Sequence, residues 1–359
     1  MSKHDAIGML QASMLIITAI GILDHVIIIP LLLEAAGRDS WFAVLLAGIL
    51  LHVWIPLIFF IMKRSGQQQL FSWLKERIGA PLACCIIALI VTDLFLMVTT
   101  TMRDVSYWTN ITYLPTIPNV ILVLCYTLIS FYAAHSGLRS IAIVNGLLLP
   151  IVVILGFFVM TSNFPHKDYS LLFPLFEHGY KPIFLGMLYA GSGFSGIFYL
   201  VYMQHRLQTK VKLFPLMLTG FILVELTLSP LTGAIAAFGP DEASRMRFPS
   251  YEQWRLITFG HFVEHVDFFS IYQWLVGAFI RLSLGIFLIP ELLNLKGKQR
   301  TRLMVGICVL MVAATQLPLS DLTFLSFLSV YQPASLFVVL LVSVVLAAVA
   351  GIQKKRVKA

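Results

Sequence analysis

Apolar residues run through this chain in stretches of about twenty, separated by short polar breaks, from residue 9 almost to the C-terminus. Ten stretches can be marked off: 9–33, 40–62, 81–104, 119–134, 140–162, 183–204, 211–238, 262–292, 304–317 and 322–351. A helix rises about 1.5 Å per residue, so ~20 apolar residues cross the ~30 Å hydrocarbon core of a bilayer. The pattern predicts an all-α integral membrane protein of about ten transmembrane helices. It forms a single polytopic domain over residues 1–359, in contact with lipid along its length.

Two of the stretches are interrupted. The first holds Gly21, Asp24, His25 and Pro30, and the sixth holds Gly191, Ser192, Gly193, Ser195 and Gly196 midway along. Each glycine in a helix interior costs ~1 kcal/mol relative to alanine. Backbone freed in lipid finds no water, so such a break survives only where it is buried in protein or lines a cavity. Each interrupted stretch opens a set of five: repeat one is about 9–162 and repeat two about 183–351. A short amphipathic segment follows the second span of each set, at 67–78 and again at 251–257. In the first, Leu70, Phe71, Trp73, Leu74 and Ile78 stand against Lys75, Glu76 and Arg77. Five is odd, so the second set is inverted relative to the first. The expectation is a 5+5 inverted repeat with broken helices 1 and 6, and paired breaks of this kind point to a site near the bilayer midplane.

Composition supports the class. The chain is 59% hydrophobic and 12% charged, whereas a soluble domain carries about a quarter charged residues. A net charge of +8 would suit nucleic acid, but the basic residues gather in loops between spans, so topology accounts for them and no nucleic-acid partner is expected. With the N-terminus inside, Lys63, Arg64, Arg139, Arg206, Lys210, Lys296, Lys298, Arg300 and the tail 352–359 are cytoplasmic, as the Lys/Arg bias of short loops requires. Both termini then face the cytoplasm. Cys84, Cys85, Cys125 and Cys308 lie in apolar runs and read as buried thiols. There is no metal-ligand spacing, phosphate loop or nucleophile elbow, so neither an enzyme nor a cofactor is expected.

Half-helix N-termini suit a carboxylate and half-helix C-termini suit a cation. The ligand-binding candidates are therefore Gly21, Ile22, Leu23 and Asp24 in the first break, and Gly191, Ser192, Gly193, Phe194 and Ser195 in the second. The same small residues would also let helices pack closely, and both readings stand. Thr99, Thr100 and Thr101 either line the site opposite the breaks or bond the carbonyls of their own helix. Asp24, Asp93, Glu225 and Arg281 fall near the middle of their spans, where a charge is expensive unless paired or hydrated. These four are the coupling candidates, with Arg281 compensating Asp24 or another acid. Glu225 is alternatively a protonated acid bonded to a neighbour. His25, His52 and His265 either titrate near neutrality or serve as packing residues. Tyr107, Trp108, Tyr113, Tyr169 and Tyr251 fit an interfacial aromatic belt.

The repeat resembles the amino acid–polyamine–organocation superfamily. More specific features are Arg38-Asp39-Ser40-Trp41 leading into Leu45-Leu46-Ala47-Gly48, Phe248-Pro249-Ser250, residues 262–269 with Trp274, and Arg103. Together they resemble the spore germination permease family, the B subunits of nutrient germinant receptors, over essentially the whole chain. The resemblance implies a sensor in the spore inner membrane that binds a small germinant (amino acid, sugar or nucleoside) at the two breaks. It also implies an A-type membrane subunit and a C-type lipoprotein as partners. In sodium-coupled relatives spans one and eight hold a sodium ion, and Arg281 would put a guanidinium there. The other functions open to these residues are a proton-coupled amino acid permease acting alone, with Asp24, Asp93 and Glu225 carrying the proton, and a scaffold with a vestigial pocket. The chain departs from its relatives at Ile20-Gly21-Ile22-Leu23-Asp24-His25, where transporters carry a richer Gly-x-Gly. It departs again at Ser195-Gly196-Ile197-Phe198, where many germination relatives carry Gly-x-Glu.

Overall fold

The first apolar stretch forms two helices joined by a change of winding. In the computed structural model, which describes residues 5–258 and 266–352, α1 (Met9–Ile22) passes into a π-helical turn, Leu23–Ile27, and resumes as α2 (Ile29–Ala36). Pro30 falls in the first turn of α2, where a missing N–H breaks no helical bond. The start of the expected eighth span, with His265, and the tail beyond residue 352 lie outside the described residues. The first set continues with α3 (Ser40–Arg64), the amphipathic α4 (Leu70–Ile78), α5 (Ala80–Thr112), α6 (Asn119–Ser136) and α7 (Leu138–Ser162). α4 buries Leu70, Trp73 and Leu74 and is capped by Gln69, which accepts from Ser72 N at 2.7 Å.

The second set repeats the plan. α8 (Lys181–Ser195) gives way to a 3₁₀ turn, Gly196–Phe198, then to the short α9 (Tyr199–Tyr202). After α10 (Leu213–Phe238) come α11 (Pro240–Arg245) and α12 (Pro249–Arg255), then α13 (Phe268–Leu292), α14 (Gly297–Thr315) and α15 (Asp321–Gly351). Among the described residues nine helical stretches are long and apolar enough to cross a membrane. The ninth expected span, at 304–317, falls in α14, which has 19 residues but carries Lys298, Arg300 and Arg302 in its first turns and is the one expected span not among these nine. Such side chains keep its first turns at the membrane surface.

The core lies where the repeats meet. The apolar window of α13 is 89% buried and those of the two broken spans 67%, against 22% for α7. Small residues set the tightest crossing of α3 with α10: a Cβ on Gly48 would stand 2.9 Å from Val224, and one on Gly220 would stand 2.6 Å from Ile55.

Polar links tie the helices at both ends of the bundle among the described residues. On one face, Glu291 Oε1 accepts from Arg206 Nε at 2.7 Å and lies 2.6 Å from His205 Nε2. Arg206 also reaches Asp5 (3.4 Å), and Ile7 pairs with Leu207 as an isolated bridge. On the opposite face, Arg247 binds Asp104 (2.6 Å) on α5 and Asp321 (3.0 Å) at the start of α15. Burial opposes the charge on Arg247, but the two acids outweigh it and hold its pKa above the ordinary value. Arg103 donates to the carbonyls of Thr315, Leu317 and Leu319 between α14 and α15. Trp108 and Trp274 stack at 4.0 Å, and the Tyr251 hydroxyl donates to Asp267 Oδ2 at 2.9 Å. Trp108 and Tyr251 are thus buried packing residues, while Tyr107 and Tyr169 are exposed as a belt requires. Of the four cysteines only Cys308 is buried; Cys84, Cys85 and Cys125 sit on the helix surfaces.

Candidate functional site

The two interruptions meet inside the protein. Gly193 lies against Asp24 so closely that a Cβ there would fall 1.8 Å from Asp24 Oδ1. A Cβ on Gly196 would fall 2.0 Å from Ile20, and one on Gly191 would fall 3.1 Å from Leu336. The glycine cluster is therefore what lets span six touch span one and the last span. Gly196 has ordinary right-handed torsions, with φ −61°, so close approach rather than conformational freedom is its use. One expectation is corrected here. Winding changes to π in one span and to 3₁₀ in the other, and the backbone does not open into free half-helix ends. Carbonyls beside the first break are taken by side chains: Ala19 O accepts from Arg281 Nη1 at 3.0 Å and His25 O from Ser250 Oγ at 2.5 Å.

A group of buried charges surrounds this junction. Asp24 is completely buried, and its polar neighbour is the Thr227 hydroxyl, which donates to Leu223 O and makes no well-formed hydrogen bond to the carboxylate. Arg281 on α13 is 4% exposed and donates from Nε to Thr101 Oγ1 at 3.0 Å as well as to Ala19 O. Asp93 on α5 is buried and takes the Tyr331 hydroxyl on its backbone oxygen (3.2 Å) and on Oδ1 (3.4 Å). Arg281 acts electrostatically on both acids. The direct ion pair expected for it is not formed among the described residues; its hydrogen bonds go to neutral groups. Tyr199 lies in the field of all three charges. One guanidinium and two carboxyls in a low-dielectric setting can hold a proton on either acid, or accept a cationic group at Asp24.

The remaining candidates divide. Ser192 donates to Gln332 Oε1 at 2.6 Å and so ties α8 to α15, while Ser195 donates to Ser192 O at 2.6 Å. Ile22, Leu23 and Phe194 are buried, Ile22 against Gly277, and Gly21 lies beside Leu226. Thr100 turns onto its own helix, bonding Leu96 O at 2.8 Å. Glu225 is the second correction. It is exposed on the outer side of α10 and has no partner among the described residues, so it is not at the junction. A residue's number along a span sets its depth, while its azimuth decides whether it faces the bundle. His25 and His52 pack with Nδ1 on Leu226 O (3.1 Å) and Gly48 O (2.7 Å).

Of the three threonines read from sequence, Thr101 is the one that meets Arg281; the residues missed from sequence are Tyr199, Tyr331 and Gln332. Tyr331-Gln332-Pro333 in the middle of the last apolar stretch was the available signal for two of them. Thr101→Val should cost about 1–3 kcal/mol by leaving Arg281 Nε unpaired. Thr100→Val, which frees only a hydroxyl bonded to its own helix, should stay within about 0.5 kcal/mol. Thermal unfolding of the detergent-purified variants measures the difference.

Comparison with known proteins agrees with this architecture. Residues 7–321 match the family model described as spore germination protein. The chain belongs to the spore germination protein family. It is 41% identical over 355 residues to spore germination protein XB of Bacillus anthracis, covering 98% of this chain and all of that one. Among solved structures it superposes on MhsT in complex with L-phenylalanine with a TM-score of 0.64. That match covers 91% of this chain and 88% of the other at 15% identity, a likeness that shows the fold alone. The family member is thus a multi-pass membrane protein that shares the inverted-repeat fold of that structure.

Proposed function

We propose that this chain is the ligand-sensing B-type subunit of a spore nutrient germinant receptor, seated in the spore inner membrane with both termini cytoplasmic. The observation that carries this reading is the junction of Asp24 with Gly193, where two broken spans meet beside a buried carboxylate in a member of the spore germination family. In this reading a small germinant enters between Gly21–Asp24 and Gly191–Ser195. Thr100 and the charges of Asp24, Asp93 and Arg281 lie alongside. Its binding favours a conformation in which spans one and six stand apart, and the links at both faces rearrange. Only a difference in affinity between the two conformations can drive that change. An A-type membrane subunit and a C-type lipoprotein receive the signal.

Nutrient-triggered germination tests this. Spores carrying Ser192→Trp or Asp24→Asn at normal protein level should need at least tenfold more germinant for a half-maximal response. An unchanged dose dependence in both variants removes the binding role.

A second reading is favoured by the buried acids Asp24 and Asp93 on a fold shared with MhsT: a proton-coupled amino acid permease acting alone. Vesicles containing only this chain, given labelled amino acid and a pH gradient, would then accumulate label. In the receptor reading they do not.

A further inference from the structure

Glu225 stands at the midpoint of the 26-residue α10, about 18 Å from either end at ~1.5 Å per residue. Asp24, Asp93 and Arg281, the other charged residues near mid-span, are buried, whereas Glu225 is exposed. Charged groups inside a membrane ordinarily face the bundle interior or one another, so an outward carboxylate at this depth requires an explanation.

Its surroundings are apolar. Phe214, Leu218 and Phe221 are exposed along the same face of α10 at helical spacing. The Gly48–Val224 contact sets α3 alongside at the same depth, where Ile49, Leu50 and Val53 are exposed. His52 is the ionisable group of α3 nearest this depth; its Nδ1 is engaged by Gly48 O, and it makes no ion pair with Glu225 among the described residues. Lipid chains offer no hydrogen-bond donor at the midplane. A second copy of the chain docked by a two-fold axis through this face would set two carboxylates against each other.

We propose that the α3–α10 face around Glu225 is a docking surface for a transmembrane helix of a different protein, one that presents a basic or hydrogen-bond-donating side chain at mid-membrane. The apolar rim supplies packing area, and the single carboxylate sets depth and selects the partner, as isolated polar residues do between membrane helices. This inference is independent of what binds at Asp24 and Gly193.

The test is photo-crosslinking in the native membrane with the full chain. A photoreactive phenylalanine replaces Phe221, with the same residue at Leu147 on the exposed side of α7 as the control. The expected result is an adduct at 221, well above that at 147, whose crosslinked peptide is a transmembrane segment of another protein with a donor or base at mid-span. Adduct yield should fall at least tenfold with Glu225→Leu at unchanged protein level, and less with Glu225→Gln, which still accepts a hydrogen bond. Replacing the partner's donor by leucine should lower it in the same way. The proposal is overturned if the yield at 221 does not exceed that at 147, if the adduct joins two copies of this chain, or if Glu225→Leu leaves the yield unchanged.

Discussion

Arg281→Met, similar in length but uncharged, is expected to lower stability by about 3–5 kcal/mol, the range for stripping a buried charge of its opposite. The guanidinium bonds Thr101 and the Ala19 carbonyl while its charge acts on Asp24 and Asp93. Its removal leaves two buried acids and an unpaired carbonyl at the crossing of spans one, three and eight. Adding Asp24→Asn to Arg281→Met should restore part of the loss, because a neutral amide needs no counter-charge. A double-mutant cycle with Asp93→Asn divides the remainder between the two acids. Arg281→Lys should fall between, keeping the charge but losing the fork that bonds in two directions at once. The measurement is thermal unfolding in detergent. A melting temperature for Arg281→Met indistinguishable from the parent would show that the central charges contribute no stability.

Gly193→Ala adds one methyl group where 1.8 Å separates it from Asp24 Oδ1. Alanine gains about 1 kcal/mol of helix propensity, but overpacking a close crossing costs about 1–3 kcal/mol. At this distance Asp24 must swing away or the two spans must separate. The expected outcome is net destabilisation and a germinant dose response displaced at least tenfold. The companion Gly191→Ala meets only the tip of Leu336 at 3.1 Å, and its response should stay within about twofold of the parent. A size exchange separates the clash from other causes. Gly193→Ala combined with Asp24→Ala should regain stability, while Gly193→Ala with Asp24→Asn, which keeps the side-chain size, should not. Failure of the size exchange would mean that the glycine serves something other than the approach of Asp24.

Sequence and structure contributed differently to these expectations. The broken spans were legible because glycines and serines clustered within six residues are out of place in lipid, and their repetition after five spans implied the inversion. The manner of the break was not legible. Whether a backbone under strain opens, tightens to 3₁₀ or widens to π depends on what packs beside it, here Ile20, Asp24 and Leu336. Thr100 and Thr101 show the same limit on a finer scale. They are neighbours in sequence about 100° apart around the helix, and only Thr101 meets Arg281. Trp108, read as part of an interfacial belt, is completely buried because Trp274 stacks on it.

By itself the sequence determined the class, the inversion of the repeat and the position of each charged residue along its span. Bilayer thickness imposes those on any helical chain, residue by residue. The azimuth of each side chain was decided only by tertiary structure, because lipid and protein interior are equally apolar and hydropathy cannot tell one face of a span from the other. That is why Asp24 and Glu225, both acids near mid-membrane, end in opposite surroundings. One is sealed against Gly193 between the two repeats, and the other faces outward from α10.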